Sequence, residues 1–196
     1  MGGRKQKFKQ PNSGLYILGE GITEQFYFSH LKQIYHFTCT IRPRFFCNTC
    51  ITDLENRIKE LLRGDIFIIC VYDADISRQK NKENQRIQRV KLKYSKNKNV
   101  IFCDSLPSIE YWFLLHYKDT CPHFESSKAV EKDLKKYITE YEKTENFLKN
   151  EKWVRDMSLN AGSIKKACQR AQKYENSDAA YSNIYKSINR LFDTVH

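Results

Sequence analysis

No apolar run in this 196-residue chain reaches the roughly 18 residues that a helical membrane span requires, so no membrane-embedded segment is expected. No cleavable hydrophobic leader follows MGGRKQKFK, and Gln6 stands where a myristoylation signal carries Ser or Thr, which points to the cytoplasm. No glycine-rich GxxxxGK stretch occurs, which excludes a P-loop and ATP binding through one. Beyond about residue 120 no repeat or low-complexity segment occurs. Acidic residues are the scarce charge: 23 Asp and Glu face 34 Lys and Arg, for a formal charge of +11 and a pI near 9.3. A basic surface of that kind recruits polyanions, although charge by itself equally serves solubility or nonspecific adhesion.

The seven cysteines do not make up a disulfide scaffold, because a chain this long can build a core without staples. Reduced thiols are expected, with Cys70 and Cys103 as small core residues inside strand-like runs. Cys47 and Cys50 form a CxxC that Cys121 and His123 could complete in principle, but the CxH spacing is poor for zinc.

Against the basic background, acids stand at two informative places. LYILGE closes on Glu20, and DIFIICVYDAD closes on Asp73 and Asp75. Each is an apolar run of strand length that ends on acid, so the expectation is carboxylates gathered at the carboxyl edge of one parallel sheet. Residues i and i+2 of a strand share a face, which puts the Asp73 and Asp75 side chains roughly 7 Å apart. At an effective dielectric near 20 their repulsion is on the order of 2 kcal/mol, a term whose sign a bound divalent cation reverses. The plainer alternative is an Asp pair that caps the strand and opens the next loop.

The first ten residues are basic and polar, and residues 1–13 read as a flexible arm. A helix is expected over 23–35 with Tyr27, Leu31 and Ile34 on its apolar face. TCTIRPRFF reads as a second strand, placed at a sheet edge by Pro43. Thr52 and Glu55 have the spacing of a capping box for a helix whose buried stripe is Leu54, Ile58, Leu61 and Leu62, stopped by Gly64. DIFIICVY lacks alternation, as a strand covered on both faces does. Strands separated by helices imply parallel crossovers, with functional groups beyond the carboxyl ends of the strands.

Residues 78–98 are the most basic stretch, with only Ile87, Val90 and Leu92 to anchor a helix. Either this is a solvated face, or Arg78, Lys80, Lys82, Arg86, Arg89 and Lys93 contact phosphate beside the acids. A fourth strand, NVIFCDS, precedes an apolar helix starting near Pro107, in whose first turn Glu110 is favoured by the helix dipole. Beyond about residue 120 only helices are expected, over 126–142, 146–154, 163–174 and 179–192. Their apolar stripes include Val130, Leu134, Tyr137, Ile138 and Tyr141, then Ile184, Ile188 and Leu191, as in a helical cap. His116 and His123 are read as ordinary core or surface histidines.

GEGITEQFYFSHL, VYDADIS and SLPSIEYWFLLHY, in this order, resemble the three blocks of the RloB-like family, a branch of the TOPRIM fold related to OLD-type nuclease domains and anti-phage effectors. The similarity covers roughly residues 14–120. It implies an α/β, TOPRIM-like (Rossmann-like) domain over 14–120, with a mostly parallel four-stranded sheet flanked by helices, and a C-terminal helical extension over 121–196. It also implies that Glu20 acts as general acid or base or as a ligand, and that Asp73 and Asp75 coordinate Mg2+ or Mn2+. Glu24 and Glu110 resemble the acids that hold a second ion in OLD-like nucleases.

The tail lacks the Asn-Pro-Ser-Thr turn associated with many members, a departure from the family's pattern. The expected activity is metal-dependent phosphodiester hydrolysis in DNA or RNA, tRNA included, beside an ATPase partner of the ABC or AAA type. Tyr72 points to the strand face opposite Asp73, against a covalent topoisomerase-like step. The competing expectation is a non-catalytic nucleic-acid-binding or partner-binding module with a structural ion. A primase-like nucleotidyl transferase is disfavoured, because no nucleotide-binding motif accompanies the acids.

Overall fold

The apolar runs marked as strands lie side by side in one sheet. The computed structural model describes residues 14–19, 21–42, 51–74, 82–161, 163–175 and 177–194, and of 51, 52, 82–84, 160 and 161 the backbone alone. Among the described residues the strands are β1 (Leu15–Gly19), β2 (Thr40–Arg42), β3 (Phe67–Asp73), β4 (Val100–Leu106) and β5 (Tyr181–Ser182). Their spatial order is β2-β1-β3-β4-β5. The first four are parallel neighbours, and β5 joins β4 antiparallel, with Ser105 opposite Ser182.

The chain is therefore α/β with a mixed five-stranded sheet, and the expectation of four strands completed by residue 120 is corrected. Two residues are too few to show an alternation, and side chains hold β5 in place. Ser105 and Ser182 hydroxyls meet at 2.7 Å, and Asn183 donates to the Asp104 carboxylate at 2.8 Å.

Helices cover both faces. One layer packs on α1 (Ile22–Tyr35), α4 (Ile109–Tyr117) and the C-terminal elements, and receives Ile17, Ile69, Val71 and Cys103. The other packs on α2 (Ile51–Leu62) and α3 (Lys82–Tyr94), and receives Leu18, Ile68, Cys70, Tyr72 and Phe102. Alternate residues of one strand thus serve opposite layers, and the runs read as continuously apolar because neither face meets water. Helix α4 is buried from Ile109 to His116, as a helix apolar all round must be.

Local expectations were met unevenly. In α2, Leu54, Ile58 and Leu61 are buried as expected, but the helix is already running at Ile51, which puts Thr52 inside it. Glu55 instead takes Lys93 at 2.6 Å and Lys59 at 3.1 Å. In α3 the anchors are Ile87, Val90 and Tyr94, whereas Leu92 is 76 % exposed, a correction of its expected burial. Five residues past Ile87 is about 140° around a helix, which turns Leu92 outward and Tyr94 in.

The tail is more broken than expected. Helix α5 (Ser127–Leu134) stops well before 142, and Tyr137 is exposed, stacked on Tyr117 at 5.0 Å between ring centroids. The expected helix over 146–154 is two single turns, α6 (Glu145–Leu148) and α7 (Lys152–Arg155), followed by a π-helical turn over Asp156–Ala161. Helix α8 (Ile164–Lys173) matches expectation, and α9 (Ile184–Phe192) is preceded by β5 rather than starting at 179. Among the described residues no helix is long and apolar enough to cross a membrane.

Candidate functional site

Strand order reverses between β1 and β3, since the chain moves outward from β1 to β2 and then returns to the far side of β1. In open α/β sheets that switch point, at the carboxyl ends of the strands, is where a crevice forms. Gly19, the last residue of β1, pairs with Val71 of β3, so both strands deliver their following residues to the same rim. Asp73 closes β3 at that rim. Glu20 and Asp75, the other two acids expected there, lie outside the described residues, as do Arg78, Lys80, Cys47 and Cys50.

The described acids at the rim each have a definite anchor. Asp73 Oδ1 accepts the backbone N–H of Ile109 at 2.8 Å, which ties the end of β3 to the first turn of α4. Glu24 is 4 % exposed and its Oε2 accepts the Gly21 N–H at 2.8 Å, the reciprocal half of an N-terminal cap. Its stem presses on β1: a Cβ at Gly19 would stand 3.0 Å from Glu24 Cβ, so the glycine permits this approach.

Glu110 is fully buried and held from three sides. Ser108 Oγ donates to its Oε2 and Tyr141 Oη to its Oε1, both at 2.6 Å, while Lys143 Nζ stands 3.1 Å from Oε2. The same ammonium is 3.1 Å from Glu131 Oε1. Burial opposes the charge on Lys143, but Glu110, Asp73 and Glu131 outweigh it and hold its pKa above the ordinary lysine value. Burial first, and then the nearby Glu110 carboxylate, push the Tyr141 phenol well up, so it stays a proton donor at neutral pH. An uncompensated carboxylate at this depth would cost several kcal/mol, and this set of donors offsets that cost.

Lys143 and Tyr141 went unrecognised as site residues. Tyr141 was expected only as an apolar stripe residue, and no expectation attached to Lys143. Ser108 sits inside the SLPSIEYW block, where a hydroxyl two residues before a buried acid was the available signal.

A second polar centre, also unanticipated, lies near the same end of β4. Asp104 is 1 % exposed and accepts from Asn183 Nδ2 at 2.8 Å, Lys91 Nζ at 3.0 Å, Tyr181 Oη at 3.1 Å and Tyr72 Oη at 3.4 Å. Burial raises the pKa of this carboxyl, but Lys91 and the donated hydrogen bonds prevail and hold it below the usual value. Tyr72 accordingly belongs to the layer under α2 and α3, away from Asp73.

Of the expected phosphate-contacting residues, Arg86 and Arg89 are exposed on α3, and Lys93 is also exposed but bound to Glu55. Lys82 begins α3, with its side chain outside the described set. Cys121 Sγ meets Ser177 Oγ at 3.0 Å and the Ala180 carbonyl at 3.1 Å, which ties it to the segment leading into β5, and His123 is exposed. His116 is buried with Nδ1 3.1 Å from the Met157 carbonyl, and burial brings its pKa down to about 3, so it is neutral at physiological pH. Among the described residues no three His, Cys, Asp or Glu side chains are grouped so as to hold a metal ion.

The family model described as RloB-like protein matches residues 15–191. No curated protein and no solved structure matches the chain.

Proposed function

The chain belongs to the RloB-like family, and from that membership we propose that it is a metal-dependent nuclease of TOPRIM-like architecture. It hydrolyses phosphodiester bonds in DNA or RNA, tRNA included, as an effector of anti-phage defence beside an ATPase of the ABC or AAA type. The observation that carries the reading is the arrival of β1 and β3 at one rim of a switch point, with Asp73 at the end of β3 and Glu20 and Asp75 next in sequence.

The donor set offered by Glu20, Asp73 and Asp75 is all carboxylate oxygen, which fits a hard divalent cation such as Mg2+ or Mn2+. Bound there, the ion would polarise a phosphoryl oxygen and lower the pKa of a coordinated water. The residues do the rest. Asp73 is kept in place by the Ile109 N–H, so its carboxylate needs no reorganisation when substrate arrives. Glu20 takes the proton of the attacking water or returns one to the leaving oxygen. Arg86 and Arg89, exposed on α3, hold the backbone phosphates and fix its register.

One observation favours a structural reading instead: Asp73 satisfies an otherwise orphaned N–H in the first turn of α4, which an aspartate could do with no catalytic duty. The two readings part on Asp73→Asn, which preserves an acceptor for Ile109 while removing the charge. DNA and RNA ends are sequenced after induced expression of the native chain and the variant. The nuclease reading expects new ends and toxicity in the native protein and loss of both in the variant. Equal toxicity in the two, with no Mg2+-dependent or Mn2+-dependent ends, supports the binding-module reading.

A further inference from the structure

Glu24 and Glu110 are the acids that an OLD-like arrangement would give to a second ion, yet in this structure both are already engaged. Glu24 Oε2 accepts the Gly21 N–H at 2.8 Å. Glu110 accepts from Tyr141 on one oxygen and from Ser108 and Lys143 on the other. Of the about four acceptor positions on a carboxylate, three are thus taken, and one of the donors is a full positive charge. A magnesium ligand sits about 2.0 to 2.1 Å from the metal, so an ion on the remaining lone pair would lie within a few ångströms of the Lys143 ammonium. Two like charges sharing one carboxylate repel, and Glu110 is fully buried, although water reaches the Lys143 side chain, which is 37 % exposed.

Lys143 arrives from the turn between α5 and α6, and its Nζ bridges Glu110 and Glu131 at 3.1 Å each. With Tyr141, it is how the segment after α5 reaches Glu110. We propose that the Lys143 ammonium occupies the place of a second divalent cation, so that the site takes one ion, on the Asp73 side, and uses a fixed amino-acid charge for the other. The inference rests on the metal-dependent reading above and specifies its stoichiometry. A built-in cation needs no recruitment from solution and keeps its position between turnovers. The donors on Glu110 therefore serve Lys143 as positioning groups, Tyr141 and Ser108 orienting the carboxylate to which the ammonium is paired.

Mn2+ binding to the full-length protein, counted by titration with the electron paramagnetic signal of the free ion, tests this without any turnover. One Mn2+ per chain is expected in the native protein and in Lys143→Arg, which keeps the charge. Lys143→Met, which removes it, is expected to take up two. Asp73→Asn is expected to lose the native ion. Two ions in the native protein, or a count in folded Lys143→Met that stays at one, overturns the proposal and leaves the nuclease reading standing. No Mn2+ bound at all overturns both. The native and Lys143→Arg counts remain decisive if Lys143→Met does not fold.

Discussion

Asp104 shows what one buried carboxylate can do when every oxygen is spoken for. It receives donors from β3, α3, β5 and the residue after β5, so it fastens the strand contributed by the tail to the strands laid down first. Its folded pKa is depressed, so its contribution is present above the ordinary aspartate value near 3.8 and is lost as pH falls through the lower folded value. Asp104→Ala is expected to cost about 3 kcal/mol at pH 7, because it leaves Lys91 and Asn183 facing an emptied acceptor. Urea denaturation followed at pH 7 and again below pH 4 should show the native protein losing stability toward the variant. A gap of constant size across that range counts against the assignment. Nothing in NVIFCDS announced this residue, since its partners lie 13 to 79 positions away along the chain. The place of Asp73 at the end of β3, by contrast, was legible, because the apolar run before it has strand length.

Elements were readable in proportion to how fully a single periodicity governed them. Strands β1, β3 and β4 and helices α1, α2 and α8 follow from runs whose burial is uniform or strictly helical. Where short turns alternate with polar caps, as from α5 to α7, the apolar residues still pointed inward but the pattern suggested longer helices than exist. Helix α3 offers a direct test of register. Ile87→Ala should cost about 2 to 5 kcal/mol, whereas Leu92→Lys should stay within about 0.5 kcal/mol, compared by chemical denaturation. The two residues look equivalent in composition, and the roles would be exchanged only if the helix were rotated about its axis. A larger loss from Leu92→Lys than from Ile87→Ala would therefore reject the packing of α3 on α2.

At the scale of the molecule, the formal charge of +11 matters through where it is free to act. Arg86 and Arg89 stand exposed on α3, and Lys93 is committed to Glu55. If α3 tracks a phosphate backbone, the logarithm of the affinity for nucleic acid falls linearly with log salt, with a slope of roughly 0.9 per neutralised phosphate on a duplex and roughly 0.7 on a single strand. Arg86→Ala and Arg89→Ala are each expected to remove about one such increment from the slope, and Lys93→Ala to remove much less. Fluorescence anisotropy over a salt series measures this, and slopes unchanged by both arginine substitutions would move the binding face elsewhere.

The closure of the acidic rim by Tyr141 and Lys143 carries an implication for biosynthesis. A ribosome that stalls after α5 releases a polypeptide whose Glu110 has neither the phenol nor the ammonium to compensate it, and whose Asp104 lacks Tyr181 and Asn183. In such a fragment both carboxylates lack donors that the later residues supply. Only a chain that extends past Lys143 and Asn183 supplies these partners, so the compensation of both carboxylates comes late in synthesis.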